Sequence, residues 1–369
     1  MGKGFSLNEL LEKQQALLHE LQFRDKVKSS EYHYAIGFDF DGFFDEKELI
    51  QDFFNKISFL SHEIEFSTFK LGVSWPEIDD AQKSHLKHSI QTSLIELLSN
   101  DLGKELSMDS PDLEFLIDFN KKLVLVRINP VFVRGNYCKY SREVAQTEFF
   151  CNRCRGVGCW YCQGTGHFSK ESVEELISRV LVPSFGGKLS VLHGAGREDM
   201  DVLMLGKGRP FIAEILMPFK RSADLVKLCN EINSCFKGRI SVSLSGFVSQ
   251  ADVSLLKDSF HDKIYAALVS SDTDVDFSKI PLNQKIIVSQ KTPLRVEKRR
   301  ARLERQKEVT VIRVGEISKK EFVLVLRTSH GTYVKEFISG DNCRTLPSIS
   351  SMVSSHCSCR LLDVLEVCE

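Results

Sequence analysis

The sequence lacks any apolar run approaching the roughly 20 residues that span a bilayer, which excludes a helical membrane protein. Its start also lacks the basic, apolar and small-residue pattern of a secretory leader, so residence in the cytosol or nucleus is expected. Net charge is nearly absent: 49 basic against 50 acidic residues leave −1, and any attraction to nucleic acid must come from local clusters of cations. There is no internal repeat and no low-complexity tract. What remains is the balance of a globular protein, 42% hydrophobic and 27% charged. A chain of 369 residues is too long for one ordinary core, so at least two domains are expected.

Eleven cysteines is an odd number, and without a leader a disulfide framework is not expected; metal ligands and buried thiols are the better readings. Cys151-x2-Cys154-x4-Cys159-x2-Cys162 offers four soft thiolates in two knuckles, the donor set of tetrahedral zinc. The gap of four is shorter than in a zinc ribbon, so His167 is the nearest candidate for a substitute ligand. Four thiolates leave no open position for water, so a structural zinc is expected, not a catalytic one. Taken alone, the patch resembles the cysteine-rich repeats of DnaJ-type chaperones. Those come as several spaced copies, whereas this chain has one and no J-domain signature.

Leucines at 7, 10, 11, 17, 18 and 21 recur at helical spacing, giving an amphipathic helix over 5–23. A strand is expected over 32–40, a helix over 45–57, a strand over 63–73 and a helix over 78–98. Segments 113–119 and 122–128, rich in branched and aromatic residues around Asn120-Lys121, read as a hairpin. After the glycine-rich cysteine patch, Ser172-Val-Glu-Glu175 has capping-box spacing and opens a helix over 172–181. Strands are expected over 201–204, 210–216, 263–269, 285–289, 308–317 and 321–328. The order is α+β, with a mixed, largely antiparallel sheet in the second half.

Gly194-Ala-Gly-Arg-Glu-Asp-Met-Asp201 sets two glycines before an arginine and three acids, a pattern suited to a tight turn that presents charge at a sheet edge. With its neighbours it forms His193-Gly-Ala-Gly-Arg-Glu-Asp-Met-Asp-Val-Leu-Met-Leu-Gly-Lys-Gly-Arg-Pro-Phe211. That stretch resembles the tRNA pseudouridine synthases of the archaeal and eukaryotic TΨC-loop family. Lys291-Thr-Pro-Leu-Arg-Val296, Arg299-Arg300 and Gly331-Thr-Tyr-Val-Lys335 through Asp341 are similar to its later motifs, and the likeness runs from Gly135 to the C-terminus.

The resemblance implies a pseudouridine synthase core at 169–369, a zinc module at 149–168 and an N-terminal THUMP-like α+β domain at 1–148. It implies that Asp199 is the catalytic carboxylate, with Asp201 on the opposite face if the segment is extended. The reaction breaks the N1–C1′ bond and rejoins the base through C5. A positioned carboxylate can act on the sugar, on the base or on a ribose proton, and the residues alone leave these roles open. Tyr265 matches the base-stacking tyrosine, though Ala266 stands where relatives commonly carry arginine. Lys335, on an expected strand, matches the basic partner of the aspartate. The target base must be flipped out of a folded loop.

Arg197, Arg209, Lys291, Arg295, Arg299 and Arg300 are the expected RNA contacts, with Tyr137, Lys139 and Arg142 added from the preceding segment. From Lys291 to Lys307, eight basic residues stand against two acidic ones. Uridines at tRNA positions 54 and 55 are the implied targets, tRNA the partner and a monomer the expected state. Structural zinc is the expected metal, with no organic cofactor. A catalytically idle, zinc-containing tRNA-binding or folding protein would keep the cations and cysteines while making no product.

Overall fold

The computed structural model describes residues 32–38, 45–75, 81–148, 150–151, 153–154, 156–167, 171–297 and 301–368. The expected helix over 5–23 lies outside them. The chain divides into two compact units: Met1–Val131 with Leu181–Ser190 and Glu214–Ala223, and the remainder from Phe132 onward. Among the described residues no helix is long and apolar enough to cross a membrane.

The first unit carries β1 (Tyr34–Gly37), α1 (Glu46–Ser61), β2 (Thr68–Ser74), α2 (Ala81–Asn100), β3 (Glu105–Leu106), β4 (Leu113–Asp118) and β5 (Leu123–Ile128). The strands form one sheet in the order β1-β5-β4-β2-β3, antiparallel through β1, β5 and β4 and parallel from β4 through β2 to β3. Asp45 caps α1 by accepting from Lys47 N at 2.8 Å, and Leu49, Ile50, Phe53, Ile57 and Leu60 make its buried stripe. The β4–β5 hairpin falls where the sequence placed it. Its turn is tied by Asp118, which accepts from the Asn120 and Lys121 amides at 3.0 and 3.1 Å. Phe38, Phe53 and Phe119 meet edge to face at the core, with Trp75 against Phe119.

The second unit holds β7 (Val144–Ala145) paired with β8 (Glu171–Ser172), and most of β6 (Val131–Lys139) and α3 (Val173–Phe185). Next come β9 (Leu189–Gly194), β10 (Leu203–Leu216), α4 (Leu225–Cys235), β11 (Ile240–Val248) and α5 (Gln250–Asp258). They are followed by β12 (Lys263–Ser271), β13 (Lys285–Lys291), β14 (Glu304–Glu316), β15 (Glu321–Thr328), α6 (Val334–Ser339), β16 (Thr345–Leu346), α7 (Ile349–Val353) and β17 (Cys357–Val367). The large sheet runs β11-β6-β10-β17-β12-β15-β14-β13-β16, with β9 added beside β10. Its β10–β17 pair is parallel and β12 through β16 pair antiparallel, the mixed, largely antiparallel pattern expected.

Ser172 caps α3 as its spacing implied: the Glu175 amide donates to Ser172 Oγ at 3.1 Å, and Ser172 Oγ in turn donates to Glu175 Oε2 at 2.8 Å. The two short strands expected at 201–204 and 210–216 are one long strand, β10. Its Gly206, at φ +63°, lies so close to β17 that a Cβ would meet Leu365 O at 2.1 Å.

Phe115 of β4 is 2% exposed in the first core. Phe115→Ala should cost this unit roughly 3 to 5 kcal/mol. Urea unfolding followed by Trp75 fluorescence, with Trp160→Phe removing the second tryptophan, should show the midpoint fall. An unchanged midpoint would deny that this side chain anchors the sheet.

Candidate active site

Between the end of β9 and the start of β10 the chain makes a tight turn through Ala195, Gly196, Arg197, Glu198 and Asp199. Gly196 sits at φ +87°, and a Cβ there would stand 3.0 Å from Arg209 Nη1, so both backbone and space call for glycine. Beneath the turn lies a buried ion pair, Arg209 Nε to Glu198 Oε2 at 2.8 Å, with side chains 1% and 2% exposed. Tyr137 of β6 donates its hydroxyl to Glu198 Oε1 at 2.8 Å. Gln146 donates to the Tyr137 hydroxyl at 2.8 Å and to Gly196 O at 3.0 Å. Arg209 Nη1 donates to Ala195 O at 2.7 Å, and Lys139 Nζ to Met200 O at 2.6 Å. Three carbonyls of the turn segment are therefore held by side chains from β6, β10 and the Gln146 segment.

Burial and neighbouring charge shift the titration of three members of the network. Burial alone would lower Arg209, but the Glu198 carboxylate outweighs it and holds the guanidinium charged. Burial and the Glu198 charge drive the Tyr137 phenol well above its usual range, so it stays a donor. Burial lowers Lys139 to about 8, with Glu198 and Asp201 opposing.

Asp199 and Asp201 emerge from this base toward α6. The expectation that they point to opposite faces is corrected: Asp199 O accepts from the Val202 amide at 3.1 Å, the segment turns, and both carboxylates converge on one lysine. Lys335 Nζ lies 2.8 Å from Asp201 Oδ2 and 3.3 Å from Asp199 Oδ2. Lys335 is on a helix, not a strand, since the Gly331 turn leads into α6. Although partial burial pushes Asp201 up, hydrogen bonds and charge from Lys335 hold its carboxyl below the usual range.

The nearest cation to Asp199 is Arg295, with Nη1 at 3.0 Å from Oδ2 and 3.2 Å from Oδ1. Its Nε reaches Glu336 Oε1 at 2.6 Å, and the Glu336 side chain is 6% exposed. Arg295, expected to meet RNA, is thus engaged by two carboxylates. Tyr265 of β12 is half-buried; burial raises its phenol, Arg209 lowers it, and Glu198 and Asp199 add to the rise.

Other expected RNA contacts fare differently. Arg209 is 1% exposed and both Tyr137 and Lys139 are fully buried, so they brace the turn from inside, and the contact reading is corrected for all three. Arg142 is ion-paired with Asp363 at 2.6 Å and donates to Asp201 O at 2.7 Å, a second brace. Arg197 and Lys291 are exposed. Arg299 and Arg300 lie outside the described residues. Sequence reasoning missed Glu198, Gln146 and Glu336 as members of the site. Glu198 and Glu336 sat inside quoted motifs, but an acid between Arg197 and Asp199 gives no sign that it points inward.

The four cysteines come together as their spacing implied, their sulfurs all within 4.8 Å of one another. Three sulfur pairs measure 3.7, 3.8 and 3.9 Å, close to the ~3.8 Å edge of a tetrahedron built on ~2.3 Å zinc–sulfur bonds. Amides of Gly158, Cys159 and Gly166 each point at a sulfur at 3.2 Å, which favours thiolate. The donor set fits a metal ion. The four cysteines make up the group by themselves, and His167, whose Nδ1 lies 3.1 Å from Glu148 Oε1, is not part of it.

A family model described as Pus10, C-terminal, matches residues 132–368. The tRNA pseudouridine synthase Pus10 of Methanosphaera stadtmanae is 37% identical over 298 residues, covering 76% of this chain and 73% of that protein. Its namesake from Methanocaldococcus jannaschii is 36% identical over 333 residues, covering 87% of this chain and 73% of that one. Among solved structures, a Cbf5–Nop10–Gar1 complex overlaps 52% of this chain and 44% of its own at 16% identity and a TM-score of 0.29, a likeness too slight to define a fold. The matched span includes the turn at Asp199 together with Tyr265, Arg295 and Lys335, and on these matches the chain belongs to the Pus10 family of tRNA pseudouridine synthases.

Proposed function

We propose that the protein isomerises uridine to pseudouridine in the TΨC arm of tRNA, at positions 54 and 55, with Asp199 as the reacting carboxylate. One observation carries the assignment: Asp199 stands on a turn fixed from below by a buried ion pair, and two cations meet its carboxylate from outside. Such an arrangement fixes the direction of the carboxylate, which either nucleophilic attack or proton abstraction requires. Tyr265 is the proposed stacking surface for the flipped base, and Lys335 the partner that steadies Asp199 while also binding Asp201. Family membership supports the same reading. The five-stranded first unit is the proposed THUMP-like accessory domain, and zinc on Cys151, Cys154, Cys159 and Cys162 the proposed structural metal.

Asp199→Asn keeps the shape but removes the charge, so pseudouridine formation should fall at least about a thousandfold while tRNA affinity stays within about threefold. Near-normal turnover in that variant would remove Asp199 from the mechanism. Asp201→Asn leaves Lys335 with Asp199 alone and should cost only about tenfold. A catalytically idle RNA-binding protein is the outcome if purified wild-type protein binds tRNA and yields no pseudouridine in any tRNA offered.

Metal analysis of the purified protein should give one zinc per chain. Stripping it with a chelator should lower the thermal transition, because the knuckles bury little apolar surface and rely on the metal. Folded, active, zinc-free protein would refute the metal assignment.

A further inference from the structure

Strands β12, β15 and β14 lie side by side, and their register sets Lys263, Thr328 and Val309 in one row. Because side chains alternate along a strand, Lys263 shares a face with Tyr265, and Lys307 and Arg305 share that face with Val309. Above the row the face is apolar and buried, with Val311, Leu324 and Leu326 all at 0% exposure. Below it the face turns cationic. The acids of these strand ends alternate to the other face: Glu308 pairs with Lys285 at 2.8 Å, and Asp262 with Arg327 at 3.1 Å.

Lys263 is 7% exposed, donates to the His261 carbonyl at 3.0 Å and makes no ion pair among the described residues. Lys307 Nζ donates to the His330 carbonyl at 2.6 Å. The Nδ1 of His330 is buried with no hydrogen-bond partner among the described residues. Burial and the neighbouring Arg209 lower Lys263 to about 8, and burial together with Lys263 and Lys307 lowers His330. At neutral pH the lysine still carries most of its charge. A buried ammonium beside Arg209, offset only in part by Asp262, whose carboxylate is itself paired with Arg327, is a costly arrangement that a bound anion would relieve.

We propose that Lys263, Lys307 and His330, with Arg305 at the outer edge, form a pocket for one backbone phosphate of the RNA, beside the nucleotide held at Tyr265. This rests on the function proposed above and adds to it the contact that fixes where the strand enters. Lys263 also touches the Gly196 turn, its Cε 3.9 Å from where a Cβ would stand, so a filled pocket presses on the element that carries Asp199.

The test is equilibrium binding of tRNA across a salt series, using the full chain as wild type, Lys263→Met, Lys307→Gln and Arg327→Gln. Each change removes one positive charge, but Arg327 lies on the opposite face. A phosphate at the pocket predicts that both lysine variants bind several-fold more weakly and lose about 0.7 to 0.9 from the slope of log affinity against log salt. Arg327→Gln should leave the slope alone, and Lys307→Arg should restore it. Lys307 is only half-buried, so its variants keep the test valid should Lys263→Met fail to fold. Equal effects from Lys307→Gln and Arg327→Gln, or an unchanged slope in Lys307→Gln, would overturn the pocket. Pseudouridine formation by the wild type in the same tRNA is scored separately. If it is absent, the functional reading falls; if it is present and the slopes do not separate, only the pocket falls.

Discussion

The ion pair between Glu198 and Arg209 is the contact on which the rest of the site hangs. Two charges with almost no access to water cost more to bury than their attraction returns unless every remaining donor and acceptor is also met. Here Tyr137 fills out Glu198, Ala195 O takes the free end of Arg209, and Gln146 links the tyrosine to Gly196. Removing any one partner strands a buried polar group, so the set stands or falls together. That is what gives a five-residue turn a defined shape, and Asp199 inherits its position from it.

Outside this base the electrostatics reverse. Asp199 and Asp201 are substantially exposed, at 42% and 61% of their side chains, and their cations are shared rather than private. Arg295 divides itself between Asp199 and the buried Glu336, while Lys335 divides itself between the two aspartates. Glu336 and Lys335 are adjacent on α6, so one short helix supplies both the lysine and the anchor of the arginine. A carboxylate held this way is fixed in direction by two cations while part of it stays open to solvent.

Much of this was legible in the residues. Hydrophobic alternation located β12, β13, β14 and β15 to within a few positions, the Ser172 box located α3, and the cysteine spacing announced a four-sulfur cluster. The failures share a cause. A strand pattern read off Asp201 and Met204 missed that β10 continues through glycines at 206 and 208, which interrupt the pattern but serve close approach to neighbouring strands. Arg209, Tyr137 and Lys139 looked like RNA contacts because cations and aromatics are common at such surfaces; their burial depends on partners brought by the tertiary fold, Glu198 for Arg209 and, 61 residues along the chain, Glu198 for Tyr137 and Met200 for Lys139, which local pattern does not reveal. Lys335, expected on a strand, stands instead in the first turn of a six-residue helix, too short to show a helical period in the sequence.

The two-residue period of β14 ties binding chemistry to folding fidelity. Arg305 and Lys307 share the sheet face of Val309 while Glu304 and Glu308 lie on the other, so a pairing error of a single residue would exchange the cations for the acids. That face would then carry negative charge, even though the strand had kept its length, its composition and most of its hydrogen bonds. Spacing along this strand therefore matters as much as residue type: an insertion or deletion between Arg305 and Val309 that slips the pairing by one would invert the sign of that face, where a substitution that neutralises one residue changes it by a single charge.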